Sequence, residues 1–422
     1  MRILLLGSGG REHALAWRCV HEGHEVHVAP GSDGIAADAP CHALALADHE
    51  AVTRLATRLA PDLVIVGPEQ PLVDGLADRL RHAGLAVFGP SAAAAELEGS
   101  KAHAKAFMVR HGVPTARHVR VDDLAAGLAA VRSFATPPVV KASGLAAGKG
   151  VTVAETFEEA ELALRSCLED QVFGSAGACV VLEERMTGAE ASLFVVTDGE
   201  RWLCLPPAQD HKRLCDGDRG PNTGGMGAYS PAPICSPAVL QRTAAEIVEP
   251  TLAGLRAEGR PFVGALFIGL MIDAHGAPRV VEYNCRFGDP EIQPVLFGLQ
   301  APVIPHLHAA ALGRLRPPEL PLPAVAAATV VIAAAGYPGR VEPGTPIRGL
   351  EATASLPDVK VFHAGTRRTE GRETTWVTAG GRVLGVCARG PDLPAALARA
   401  YAAVDRLEIT RSQFRRDIGA RA

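Results

Sequence analysis

Four short apolar runs punctuate the first hundred residues, at 3–6, 26–29, 63–66 and 85–88. Each stops at a glycine- or proline-marked turn, and helical patterns separate them. Strands alternating with helices imply parallel βαβ units. Ligands of such sheets sit at the carboxyl ends of the strands. The turns GSGG (7–10), PGSDG (30–34), GPEQP (67–71) and GPS (89–91) should therefore converge on one site. At 422 residues the chain exceeds one ordinary core, so further domains are expected.

Beyond this unit, a helix is expected over 100–110, closed by Gly112 and Pro114. Residues 138–197 read as strands, a glycine-rich loop and one helix, and 244–258 as a helix. Strands are expected over 262–273 and 279–285. RLRPPELPLP (314–323) reads as a linker. It precedes a separate C-terminal α+β domain with strands at 328–334, 359–362, 376–378 and 382–387 and a helix over 393–404.

A formal net charge of -4 with dispersed basic residues gives no electrostatic case for nucleic acid. Nine cysteines without a CxxC pair suit neither a disulfide framework nor a zinc site, and point to reduced thiols. The apolar stretch at the N-terminus is too short for a signal peptide. The longest apolar run, 324–335, is interrupted by Thr329 and falls short of the about 20 residues that span a membrane. A soluble, cytoplasmic chain with no membrane partner is expected.

EYNCRFGDPE (282–291) is the most informative segment. Side chains alternate along a strand, so Glu282, Asn284 and Arg286 share one face. A carboxylate and an amide oxygen are hard ligands suited to magnesium, and the arginine beside them can reach a transferring phosphoryl group. GSGGREHA (7–14) follows a strand and opens a helix, which suits a phosphate. Arg11 and Glu12 stand where a third glycine would complete GxGxxG, so a dinucleotide fingerprint is absent. KASGLAAGKGV (141–151) lets glycines close over triphosphate oxygens while Lys149 neutralises them, yet lacks the Ser or Thr of a P-loop. VVLEERMTGAEAS (180–192) ends an apolar strand with Glu183 and Glu184, where backbone can read an adenine edge and Glu190 can accept ribose hydroxyls. QDHKR (209–213) and GPNTGGMGAYSP (220–231) read as one long functional loop. Only six of 42 basic residues are lysine, and five of those lie between 101 and 212.

With GREHAL, VGPE, FGPS, LEGSKA, GLAAGKGV, QDHKR, GPNTGGMGAYSPAP, RFGDPE, AGYPG, VFHAGT and the closing DIG in order, nearly the whole chain resembles the glycinamide ribonucleotide synthetase family of ATP-grasp ligases. The resemblance implies an α/β and α+β multidomain fold: a biotin-carboxylase-like parallel-sheet domain (1–100), an ATP-grasp domain (101–313) with an inserted subdomain near 118–190, and a small C-terminal domain (324–422). It implies ATP and Mg2+ (or Mn2+), glycine and 5-phosphoribosylamine as substrates, and a monomer or weak homodimer.

By the same resemblance Lys105 and Lys141 hold ATP phosphates, and the loop of Gly144, Gly148, Lys149 and Gly150 closes over them. Glu183 and Glu184 lie at the adenine hinge, Glu190 binds ribose, and Glu282 and Asn284 bind metal. Arg286 and Lys212 are the catalytic candidates. The turn of Gly9, Gly10, Arg11, Glu12 and His13, with Glu69, faces phosphoribosylamine. Asp210, Asn222, Gly224 and Gly225 complete the substrate set, with Asp210, Asp216 and Asp218 open candidates for the glycine amine. Ser143, Arg185 and Met186 depart from the family pattern, and GLMI (269–272) lacks the acid many ATP-grasp enzymes place before the metal strand. The alternatives are another ATP-grasp carboxylate–amine ligase and a non-catalytic nucleotide binder or oxidoreductase; the last is disfavoured by the missing third glycine.

Overall fold

From Ile3 onward the strand Arg2–Gly7 is buried on both faces, as a parallel strand covered by helices must be. It pairs in parallel with Glu25–Pro30 on one side and Leu63–Val66 on the other, and Val87–Phe88 pairs beyond the latter. The fourth strand starts two residues later than its apolar run, because the Leu85 N–H is taken by Leu80 O at the end of the preceding helix. The helix Gly10–His21 springs from the first strand, with the Glu12 carboxylate accepting from Gly9 N at 2.7 Å. Gly7 has φ +137°, and a Cβ there would sit 2.3 Å from Glu12 Cγ, so this turn needs glycine. The computed structural model describes residues 1–146, 148–317, 322–369, 375–420 and 422. Part of the expected linker, 318–321, lies outside them.

Two antiparallel sheets follow. The smaller orders His118–Val121, Val180–Glu183, Val139–Ala142 and Val151–Val153. The helices Leu124–Val131 and Phe157–Leu168 cover it through Val131 and Leu164. The larger orders Trp202–Cys204, Ala189–Asp198, Val263–Ile272 and Pro278–Asn284. The helix Lys101–Arg110 leads into these sheets, capped by the Ser100 hydroxyl.

A five-stranded sheet joins Gln209–Asp210, Gly227–Ser230, Ala326–Ala333, Arg382–Gly390 and Val359–His363. The C-terminal region, read from sequence as separate, thus continues a sheet begun before the linker. The expected loop over 220–231 is largely strand: Arg219–Asn222 pairs with Arg213–Cys215, and Gly227–Ser230 pairs with Ala326–Ala333. Its glycines serve close approach rather than mobility; a Cβ on Gly227 would lie 2.6 Å from Thr329 O. Arg415, only 1% exposed in its side chain, bonds Asp417 and Asp218 and fastens the chain's tail to the 213–222 hairpin. Among the described residues no helix is long and apolar enough to cross a membrane.

Candidate active site

A cavity of about 720 Å³ opens between the two antiparallel sheets and the carboxyl ends of the parallel one. The pleat of Pro278–Asn284 delivers the expected face: Glu282, Asn284 and then Arg286 line the cavity, while Tyr283, which also borders it, and Cys285 are buried. Opposite Glu282 in register stands Gly269, and the same strand contributes Met271 to the wall. No acid stands there, and Asp273 instead accepts from the backbone N–H groups of His275 and Ala277 in a turn.

Lys105 and Lys141 converge on one atom. Their Nζ atoms lie 2.9 and 3.0 Å from Glu183 Oε2. Lys105 also donates to Thr115 Oγ1 at 2.7 Å, and Lys141 to Val281 O at 3.2 Å. Burial lowers the Lys105 pKa to about 8, against the opposing pull of Glu183. Glu183 Oε1 is buried and has no hydrogen-bond partner among the described residues. Glu184 takes a different path, accepting from Arg117 N and Arg279. Of the two glutamates expected at the hinge, Glu183 therefore serves the lysines and Glu184 a neighbouring arginine.

Lys212 Nζ lies 2.7 Å from Glu190 Oε2, and both side chains, 39% and 41% exposed, open onto the cavity. Burial would lower the Lys212 pKa, but Glu190, Asp210 and Glu282 outweigh it and hold the ammonium firmly charged. Burial would likewise raise the Glu282 pKa; Lys212, Lys101 and Lys141 win and keep it ionised. Burial raises Asp210, and burial with Asp210 raises Glu291 to about 7.

Arg286 is held from three sides: Nε to Glu69 Oε2 at 3.1 Å, Nη2 to Glu98 Oε1 at 2.8 Å, Nη1 to Phe287 O at 3.3 Å. Arg11 lies beside this cluster, 3.9 Å from Glu69 and bonded to Glu12 at 2.6 Å. Asn222, Gly224, Gly148 and Gly150 also line the cavity. Gly9, Gly10, Glu12, His13, Gly144, Lys149 and Gly225 are not among its lining residues. Gly10 packs on Gln293 and Gly144 on Ala176, while Lys149 is exposed, two positions after Ala147, which lies outside the described residues. His13 turns toward the C-terminal region: Nε2 meets Asp38 at 2.9 Å and Nδ1 accepts from His363 N at 2.9 Å. Asp216 accepts from Arg416 N and lies away from the cavity, whereas Asp210 and Asp218 both line it, Asp218 while accepting from Arg415 Nη1 at 2.7 Å.

The motif reading passed over Glu98, Lys101, Asp289, Glu291 and Arg382, all of which line the cavity. Four of them lie inside the quoted segments LEGSKA and RFGDPE; Arg382 lies outside every motif.

Glu282 and Asn284 fit a hard divalent cation. They are acceptors two residues apart on one strand face, and neither receives a hydrogen bond from a described residue. Among the described residues no group of three or more His, Cys, Asp or Glu could hold a metal alone. Phosphate and water oxygens are needed to complete such a shell.

Family models of phosphoribosylglycinamide synthetase match the chain in three parts: the N domain over 1–98, the ATP-grasp (A) domain over 99–292 and the C domain over 327–421. A phosphoribosylamine–glycine ligase from Mesorhizobium japonicum is 51% identical, across 100% of this chain and 98% of that one. The Vibrio cholerae ligase of that name is 48% identical, again covering 100% and 98%. The crystal structure of the Thermotoga maritima ligase superposes with a TM-score of 0.86 at 33% identity, covering 99% of this chain and 100% of that one. A Campylobacter jejuni biotin carboxylase shares the fold at 16% identity, with a TM-score of 0.72 over 98% of this chain and 92% of its own.

Proposed function

The chain belongs to the phosphoribosylglycinamide synthetase family, and from that premise we propose how its cavity carries out the family's ligation. The reaction joins glycine to 5-phosphoribosylamine, giving glycinamide ribonucleotide, ADP and phosphate, a step in purine synthesis. ATP is the nucleotide, as the ATP-grasp domain of the family implies.

The observation that carries the residue-level reading is the shared face of Glu282, Asn284 and Arg286 in one cavity with Lys105 and Lys141. An ammonium has three donors. Lys105 uses two on Thr115 and Glu183, and Lys141 two on Glu183 and Val281 O, so each keeps one for a phosphate oxygen. Glu183 thus anchors both cations without quenching them. Of the five guanidinium N–H groups, Arg286 uses three and keeps two for charge developing on the transferring phosphoryl group.

Glu282 and Asn284 hold magnesium or manganese, which when bound neutralises phosphate charge during transfer. The glycine carboxylate oxygen attacks the γ-phosphorus and the bond to ADP breaks, giving glycyl phosphate. The amine of phosphoribosylamine then attacks the acyl carbon, and phosphate leaves with that carboxylate oxygen. Glu190 accepts the ribose hydroxyls of ATP, and Lys212 keeps it ionised. Arg11 and Glu69 stand at the Arg286 end, where phosphoribosylamine approaches. Glycine labelled with oxygen-18 in its carboxylate tests this path: label should appear in the released phosphate, and unlabelled phosphate from full turnover would exclude the acyl phosphate.

A further inference from the structure

Arg382 opens the strand Arg382–Gly390, far along the chain from every residue of the reaction described above. Its guanidinium nevertheless bridges two backbone segments of the cavity wall. Nη1 donates to Gly224 O at 2.6 Å and to Asp289 O at 2.6 Å, and Nη2 to Asp289 Oδ2 at 2.8 Å. Gln293 Nε2 holds the other carboxylate oxygen of Asp289 at 3.1 Å. Tyr337, also from the C-terminal region, accepts from Gly224 N at 2.9 Å through its hydroxyl. Gly224 is thus gripped at both its N–H and its C=O.

The two segments so joined are those that carry substrate groups. Asn222 and Gly224 line the cavity from one, and Arg286 and Glu291 from the other. They meet without side-chain padding: a Cβ on Gly225 would sit 2.5 Å from Pro290 Cδ, and Gly225 has φ +109°. Packing sets how close they come; it does not stop one sliding past the other. A planar fork of donors with fixed angles does, and an ammonium cannot reproduce it.

We propose that Arg382 is a positioning residue for the ligation: from the C-terminal region it fixes the register between the Gly224 segment and the Asp289 turn, and with it the substrate end of the cavity. The proposal rests on the reading that this cavity performs the ligation. ATP is bound elsewhere in the same cavity, by Lys105, Lys141 and Glu190, so nucleotide affinity should be independent of Arg382.

The test compares full-length wild type with Arg382→Ala, Arg382→Lys and Tyr337→Phe. In Arg382→Ala the KM for glycine or phosphoribosylamine should rise on the order of tenfold to a hundredfold, with the KM for ATP unchanged within error. Arg382→Lys should do little better, and added guanidinium ion should partly restore Arg382→Ala. Amide hydrogen exchange should quicken over both 220–225 and 286–291. Co-substrate and ATP KM values rising together, or exchange unchanged over 286–291, would overturn the proposal. If Arg382→Ala does not fold, Tyr337→Phe decides. Faster exchange at Gly224 and Gly225 with a smaller rise in co-substrate KM is expected, and wild-type behaviour in both overturns it. Wild type inert toward glycine and phosphoribosylamine would sink the activity reading, while the exchange data would still judge Arg382.

Discussion

Glu98 Oε1 accepts a hydrogen bond from Arg286 Nη2 at 2.8 Å, in a pair whose side chains are 7% and 18% exposed. The same carboxylate accepts from Cys285 N at 2.7 Å, so one helix-borne residue fixes both the Cys285 backbone and the Arg286 side chain just past the strand Pro278–Asn284. Burial raises the Glu98 pKa, and Arg286 opposes that rise.

Removing this carboxylate leaves a buried N–H unpaired and a guanidinium with Glu69 as its remaining carboxylate. Glu98→Ala should therefore lose about 3 kcal/mol of stability, read as a lower urea midpoint at unchanged slope. A variant as stable as the parent would remove Glu98 from the support of Arg286.

Lys105 gives the site a pH dependence. Its pKa is lowered to about 8 by burial, so it sheds its charge as pH rises through that value. The KM for ATP should climb between pH 7.5 and 9, and Lys105→Arg, charged throughout, should flatten the profile. The sign for stability is opposite. Between about 8 and the ordinary lysine value the unfolded chain binds the extra proton, so this group adds stability as pH rises. Weaker ATP use at pH 9 without loss of melting temperature separates titration from unfolding; a flat wild-type profile would contradict the assignment.

The metal assignment predicts a loss of activity with little loss of fold. Glu282 receives no hydrogen bond from a described residue, so Glu282→Gln keeps its volume and breaks no hydrogen bond, and the variant should stay folded with a melting temperature lowered only by the lost attraction of Lys212, Lys101 and Lys141. Turnover should fall on the order of a hundredfold or more, with the magnesium requirement shifted to higher concentration. Wild-type turnover at limiting magnesium would place the ion on other ligands.

Much of this site could be read from local chemistry. The period of two along a strand was enough to put Glu282, Asn284 and Arg286 on one face, and apolar runs alternating with helical patterns identified the parallel sheet, although the turns at 30–34 and 89–91 do not reach the cavity. What escaped was the partnership of distant residues. The roles expected for Glu183 and Glu184 followed from their place at a strand end, but Lys105 and Lys141 reach Glu183 from other elements, and Arg279 reaches Glu184. Glycines at 220–231 suggested a long functional loop, whereas Gly225 and Gly227 are there because Pro290 and Thr329 come too close for a side chain. Arg382 carries no local signal at all, since its meaning lies in Gly224 and Asp289.

If one cavity couples ATP cleavage to the joining of glycine and phosphoribosylamine, neither half of the reaction should run alone. The direct measurement is phosphate release by purified protein with each component omitted in turn. Release should require ATP, magnesium, glycine and phosphoribosylamine together; full turnover with another amino acid and none with glycine would contradict the account.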